Sequence, residues 1–226
     1  DAANNCTIHN FTIRAIGSVP TGIQVNASDC TIEGMQFLEG ASDFGAPGDA
    51  IIDLVLGQNQ LIQNNEFVLN TGTLTASSIV RLTGGQGVRV LNNLVTATAP
   101  VAGGVYPDFF VENAFPSYND AEIRGNRVNG AVETFVGPTG IFFNAVANSS
   151  ANSLIADNTA TCDVGIHLGS TTNSTVVQNN QITYGATGNT GFSALGLGPA
   201  DGGVGLYDWG GSNNQYLGNT VVAYNL

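Results

Sequence analysis

The chain has 226 residues, 42% apolar and only 10% charged; it contains no lysine, and its five basic residues are Arg14, Arg81, Arg89, Arg124 and Arg127. That length suffices for one sizeable core, and all-β domains often run this long, so a single domain over 1–226 is expected. The net charge of −12 argues against nucleic acid and anionic membrane surfaces as partners, and against tight binding of a uronate-rich polyanion without a bridging cation.

Taken in chain order, one short pattern recurs. It reads Ile8-His-Asn-Phe-Thr-Ile13, Ile32-Glu-Gly-Met-Gln-Phe37, Ile62-Gln-Asn-Asn-Glu-Phe67 and Val90-Leu-Asn-Asn-Leu-Val95. It continues as Ile123-Arg-Gly-Asn-Arg-Val128, Ile155-Ala-Asp-Asn-Thr-Ala160, Val177-Gln-Asn-Asn-Gln-Ile182 and Tyr216-Leu-Gly-Asn-Thr-Val221. With the opening residue as position zero, positions zero and five are apolar throughout. Position three is asparagine in the last six: Asn65, Asn93, Asn126, Asn158, Asn180 and Asn219. Phe11 and Met35 stand there in the first two. Successive intervals are 24, 30, 28, 33, 32, 22 and 39 residues. A strict local pattern at an irregular spacing predicts a solenoid whose turns differ in length.

A second strand signal precedes each of the last seven segments: Gly22–Val25, Ile51–Leu54, Ile79–Leu82, Phe110–Asn113, Gly140–Phe143, Gly165–Leu168 and Gly205–Asp208. Several alternate, with Gln24, Asp53, Arg81, Glu112 and His167 between apolar neighbours. Each repeat therefore holds at least two short strands and a bend. The helical half of a leucine-rich repeat and the four-strand blade of a propeller are both missing from the pattern.

These repeated asparagine-centred units, with the Gly-Ile-x-Val segments between them, resemble the right-handed parallel β-helix proteins of the pectate-lyase-like group, over about residues 7–222. The resemblance implies an all-β, right-handed parallel β-helix of about 7–8 coils. It says little about activity, because that fold carries lyases, hydrolases, epimerases, phage spikes and adhesins. Adjacent coils stack about 4.8 Å apart, so equivalent residues lie above one another. Asparagine at an inward bend can then donate its amide to the next coil's asparagine, and it tolerates the left-handed backbone of a tight turn. In this stacked arrangement Cys6 and Cys30 are neighbours. They form either a disulfide or a pair of small residues filling a core row. Cys162 has no partner in the register and is expected as a buried thiol.

Stacking also lines up an outward row on the second strand: Gln24, Asp53, Arg81, Glu112, then Phe142 or Phe143, His167, and Tyr207 or Asp208. Asp53, Arg81 and Glu112 form either a surface salt-bridge ladder or the polar centre of a carbohydrate site; the ladder is the favoured reading. Lyases of the resembled group use calcium-binding acidic clusters with an Arg or Lys base, and its glycosidases use close aspartates in short motifs. Neither signature occurs, so no catalytic set, metal or cofactor is expected. His9 and His167 lack a nucleophile pattern and read as solvated strand residues. The glycine-rich stretch Gly196–Gly211 belongs to the longest coil. The loop over 183–203 is a candidate groove cover, and Phe142, Phe143, Tyr207 and Trp209 are either core residues or platforms for sugars.

No stretch approaches the ~18 consecutive apolar residues of a membrane span. Asn-x-Ser/Thr acceptors occur at Asn5, Asn10, Asn26, Asn148 and Asn173, compatible with a glycosylated protein that is secreted or at the cell surface. The start at Asp1, with no initiator methionine or signal peptide, reads as a processed mature form or an engineered start. Neither end of the pattern leaves room for an amphipathic capping helix, which leaves three readings: a fragment of a longer protein, ends covered by other domains, or subunits that stack end to end. These features lead to the expectation of a structural protein that self-associates end to end into fibres or a surface layer. The alternative is a carbohydrate-active enzyme or glycan-binding module working from the outer sheet face.

Overall fold

A computed structural model describes residues 4–15, 21–38, 50–69, 78–97, 109–113, 118–129, 141–143, 151–162, 164–169, 172–185, 204–208 and 210–224. Its strands stack into three long parallel sheets of eight, eight and seven strands, besides a short parallel pair of Gly85–Gln86 with Tyr118–Asn119, and each long sheet takes at most one strand from each turn of the chain. The first sheet runs Thr7–His9, Thr31–Glu33, Leu61–Gln63, Arg89–Leu91, Glu122–Arg124, Leu154–Ala156, Val176–Gln178 and Gln215–Leu217. The second runs Thr12–Arg14, Gln36–Leu38, Glu66–Leu69, Leu94–Ala97, Arg127–Asn129, Thr159–Cys162, Gln181–Gly185 and Thr220–Tyr224. The third, of seven strands, runs Ile23–Val25, Ala50–Val55, Ser78–Thr83, Phe109–Asn113, Ile141–Phe143, Val164–Leu168 and Val204–Asp208. Strand order follows chain order in every sheet, so the molecule is an all-β parallel β-helix of eight coils.

The register is that of the sequence pattern. Ile8 pairs with Ile32, Ile32 with Ile62, Ile62 with Val90, and so on to Val177 with Tyr216. What reads as one strand per repeat is two, belonging to different sheets and separated by a single bend. Apolar positions zero and five fill the interior, where Ile62, Phe67, Val90, Val95, Ile123 and Ile155 are fully buried. Phe37 and Phe67 stack across neighbouring coils with ring centroids 4.9 Å apart.

Left-handed residues make the bends, and they form two columns. Position two carries Asn10, Gly34, Asn64, Asn92, Gly125, Asp157, Asn179 and Gly218, all at φ between 53° and 65°. Three residues before position zero stand Asn5, Asp29, Asn59, Gly87, Asp120, Asn152, Ser174 and Asn213, again all with positive φ. Left-handed backbone favours Asn, Asp and Gly, which reach it most cheaply, and these fill every place in the two columns but that of Ser174. The ladder asparagines at position three do not have positive φ. This corrects the expectation that the ladder residue itself takes up the turn. The Asn-Asn dipeptide divides the labour: its first member bends the chain and its second faces inward.

Candidate functional site

The third sheet assembles the row expected from the repeats. Gln24 pairs with Asp53, Asp53 with Arg81, Arg81 with Glu112, Glu112 with Phe142, Phe142 with His167 and His167 with Tyr207. Phe142 and Tyr207 therefore hold the row positions, while Phe143 and Asp208 pair with Leu168 in the neighbouring column.

The row is not the exposed ladder that alternation suggested. Asp53 is 2% exposed and the Arg81 side chain 21%. On the same strands Ile51, Ile79 and Phe110, which alternate with core-facing Ile52, Val80 and Val111, are fully buried. The third sheet is thus buried on both faces in its middle coils. That is the physical meaning of the unbroken apolar runs Ala50-Ile-Ile and Phe109-Phe-Val, because a parallel sheet covered on both sides reads as continuous hydrophobic sequence rather than as alternation.

Burial changes the electrostatics. Arg81 grips Asp53 with two parallel bonds, Nε to Oδ1 at 3.0 Å and NH2 to Oδ2 at 2.9 Å, and Gln24 Nε2 donates to Oδ2 at 3.3 Å. A buried pair of this kind gains little over a well-packed apolar pair, but losing one partner strands a charge, at a cost of about 3–5 kcal/mol. Glu112 accepts a hydrogen bond from Ser78 Oγ. Burial pushes its carboxyl above the ordinary glutamate value; Ser78 and Arg81 pull it back, and Asp53 adds to the rise. Glycoside hydrolysis needs two working carboxyl groups. Asp53 is committed to Arg81 and Gln24, which leaves Glu112 as one protonatable carboxyl without a second in reach of the row's described contacts. The row thus holds the Asp53–Arg81 pair beside a second carboxyl, Glu112, whose charged form burial disfavours.

The remaining candidates are distributed as follows. Asn65, Asn93, Asn126, Asn158, Asn180 and Asn219 form an inward ladder. In each of the five steps the upper residue's Oδ1 accepts from the lower residue's Nδ2 at 2.9–3.0 Å. The same Oδ1 also takes the lower backbone N–H. The Nδ2 of each ladder residue further donates to the carbonyl at position zero one coil below, as Asn126 does to Val90 at 2.8 Å. Cys6 and Cys30 are joined by a disulfide with Cα atoms 4.6 Å apart. Asn5, Asn10 and Asn26 are exposed, whereas Asn173 is half-buried and its Oδ1 accepts from Ser212. His9 is exposed and bonded to the Asn10 amide at 3.0 Å. Asn148, Trp209 and residues 186–203 of the long loop lie outside the described residues, as do the side chains of Cys162, Phe142, Phe143, His167 and Tyr207.

Sequence spacing gives no hint of Ser78, which lies outside the alternating row it joins. It also misses a knot on the last coil. Asp208 accepts from the Gly210 and Gly211 amides at 3.2 and 3.0 Å, from Asn214 Nδ2 at 3.0 Å and from the Tyr216 hydroxyl at 2.8 Å. Burial works against its charge, but these bonds outweigh it and hold the carboxyl below the ordinary aspartate value. Burial and then Asp208 push the Tyr216 phenol far up. Asn214 also bonds outside the knot, its Oδ1 accepting from the Thr175 amide and its Nδ2 donating to the Thr172 carbonyl at 3.0 Å each, so the knot fastens the turn to the coil below.

Among the described residues no group of three or more His, Cys, Asp or Glu could hold a metal ion, and no helix is long and apolar enough to cross a membrane. No family model matches the chain, and no curated protein matches it.

Proposed function

We propose that the protein is a structural β-helix rod, without catalytic activity, that lengthens by axial pairing of coils at its open faces into fibres or a surface layer. One observation carries this reading. On the last coil Tyr216, Leu217, Val221 and Val222 are 39%, 49%, 40% and 49% exposed, although the residues beneath two of them, Val177 and Ile182, are buried. Phe11 on the first coil is 62% exposed. Among the described residues the outermost strand of each long sheet pairs on one side, and a strand edge of this kind is the template for pairing with another coil. Sedimentation velocity and electron microscopy of the purified chain over rising concentration are expected to show end-joined rods; single particles at every concentration would sink the idea.

The pectate-lyase-like group is the family this reading assigns, on the support of the coil pattern and the ladder. A secreted or cell-surface setting is supported by the Cys6–Cys30 bridge, since disulfides persist in oxidising compartments, and by exposed acceptors at Asn5, Asn10 and Asn26. Intact mass of the natural protein before and after deglycosylation checks this, and an unchanged mass counts against glycans.

A second reading, a carbohydrate-active or glycan-binding row, is favoured only by the contact of Asp53, Arg81 and Glu112. Their burial and mutual commitment make it the weaker of the two.

A further inference from the structure

The outer face of the second sheet carries a charge pattern with a centre. Position four of the repeat points outward there and forms one row. In it Gln36 pairs with Glu66, Glu66 with Leu94, Leu94 with Arg127 and Arg127 with Thr159. The residues that follow three of these, Phe67, Val95 and Val128, are buried in the core. One carboxylate and one guanidinium thus stand one coil, about 4.8 Å, to either side of a half-buried leucine. In a chain of five arginines and 17 acidic residues, Arg81 and Arg124 are ion-paired. Arg127 is exposed and forms no ion pair among the described residues; its Nε donates to Asn129 Oδ1 at 2.9 Å. Nor does a cation among those residues reach Glu66, whose Oε2 accepts from Gln36 Nε2 at 2.8 Å.

Such a row is complementary to itself. A two-fold axis between two copies, perpendicular to both rods and passing over Leu94, turns the second rod end for end and lays the row on its own image. Leu94 then meets Leu94, each Glu66 meets the other copy's Arg127, and Gln36 meets Thr159. A copy facing this one with its rod the same way round leaves Glu66 over Val68 and Arg127 over Asn129, with neither charge matched. We propose that the outer face of the second sheet is an interface between two copies of this chain, side by side and antiparallel, centred on Leu94. The contact lies on the flank of the rod, involves neither end, and does not rest on axial pairing. Its strands of three to five residues offer roughly 34 by 13 Å, about 450 Å² a side against about 800 Å² for a standard interface, so the pair is weak and forms at high concentration.

Charge reversal tests this on the full chain, with circular dichroism establishing that each variant is folded. Sedimentation equilibrium is expected to show wild-type pairs. Arg127→Glu and Glu66→Arg should each lower the association constant roughly ten-fold, because each reversal turns two symmetry-related attractions into repulsions. Mixed one to one, the two variants regain it, since every acid on one copy then meets a base on the other. Association that neither reversal weakens, as end-to-end joining alone would give, overturns the proposal. So does a mixture that associates no better than either variant by itself, and so does wild type that stays single at every concentration. Leu94→Cys reads the contact without altering charge. Facing sheets pack about 10 Å apart, so a short bis-maleimide is expected to link two copies of this variant. Wild type, whose Cys6 and Cys30 are bridged, serves as the control for Cys162. No linked pair above that control would overturn the proposal.

Discussion

At the residue scale, the same amino acid does two jobs that only the backbone distinguishes. Asn64 is left-handed at φ 55° and exposed, while Asn65, one residue on, is 1% exposed and holds the ladder. The left-handed column interlocks with itself. A methyl group at Gly34, where φ is +61°, would lie 2.6 Å from the Asn10 Oδ1 of the coil below, so glycine there answers both to the turn and to the neighbouring asparagine. Glu112 carries the residue-scale prediction. Burial raises its pKa in the folded chain, so between the ordinary glutamate value and that raised value the native state binds more protons than the unfolded one. Stability contributed by the protonated form is therefore present at low pH and is lost as pH rises through the window. Melting temperature measured against pH is expected to fall less steeply across that window for Glu112→Gln than for wild type. Identical slopes would show that Glu112 is not the group responsible.

At the scale of the element, each rung depends on the rungs on either side. Removing the Asn126 side chain takes the acceptor from both Asn93 donors and opens a gap beside Val90 and Asn158. Asn126→Ala is expected to lower the unfolding free energy by about 3 kcal/mol or more, against about 1 kcal/mol for Asn219→Ala at the last rung. Chemical denaturation compares them, and equal losses would mean that the ladder contributes no more inside than at its end. Strand positions, coil count and ladder were legible in the sequence because the solenoid repeats its constraints from coil to coil, the apolar positions eight times and the ladder asparagine six. From the third coil on, position three is a residue able both to donate and to accept, and the register turns that into a visible column. The burial of Asp53 was less legible. Alternation locates the face of a strand, but whether that face is covered depends on other parts of the chain, and only the apolar run around Ile51 hinted at it. The contact from Ser78 to Glu112 left no trace, because a side chain that bonds outside its own column has no period to betray it.

For the whole molecule, coils contact only their neighbours, so stability is close to a sum of coil and interface contributions. Among the described residues the last coil pairs with one neighbour, and Tyr216 and Val221 on it are exposed. In hydrogen exchange of the dilute chain, the amides of Gln215–Leu217 and Thr220–Tyr224 are expected to exchange faster than their counterparts in Arg89–Leu91 and Leu94–Ala97. Uniform protection along the rod would show that it opens only as a unit. Every rung of the ladder passes its donors the same way along the coils, so the row of amides that helps hold the chain together also gives it a direction: read one way each rung gives protons, read the other way each rung receives them.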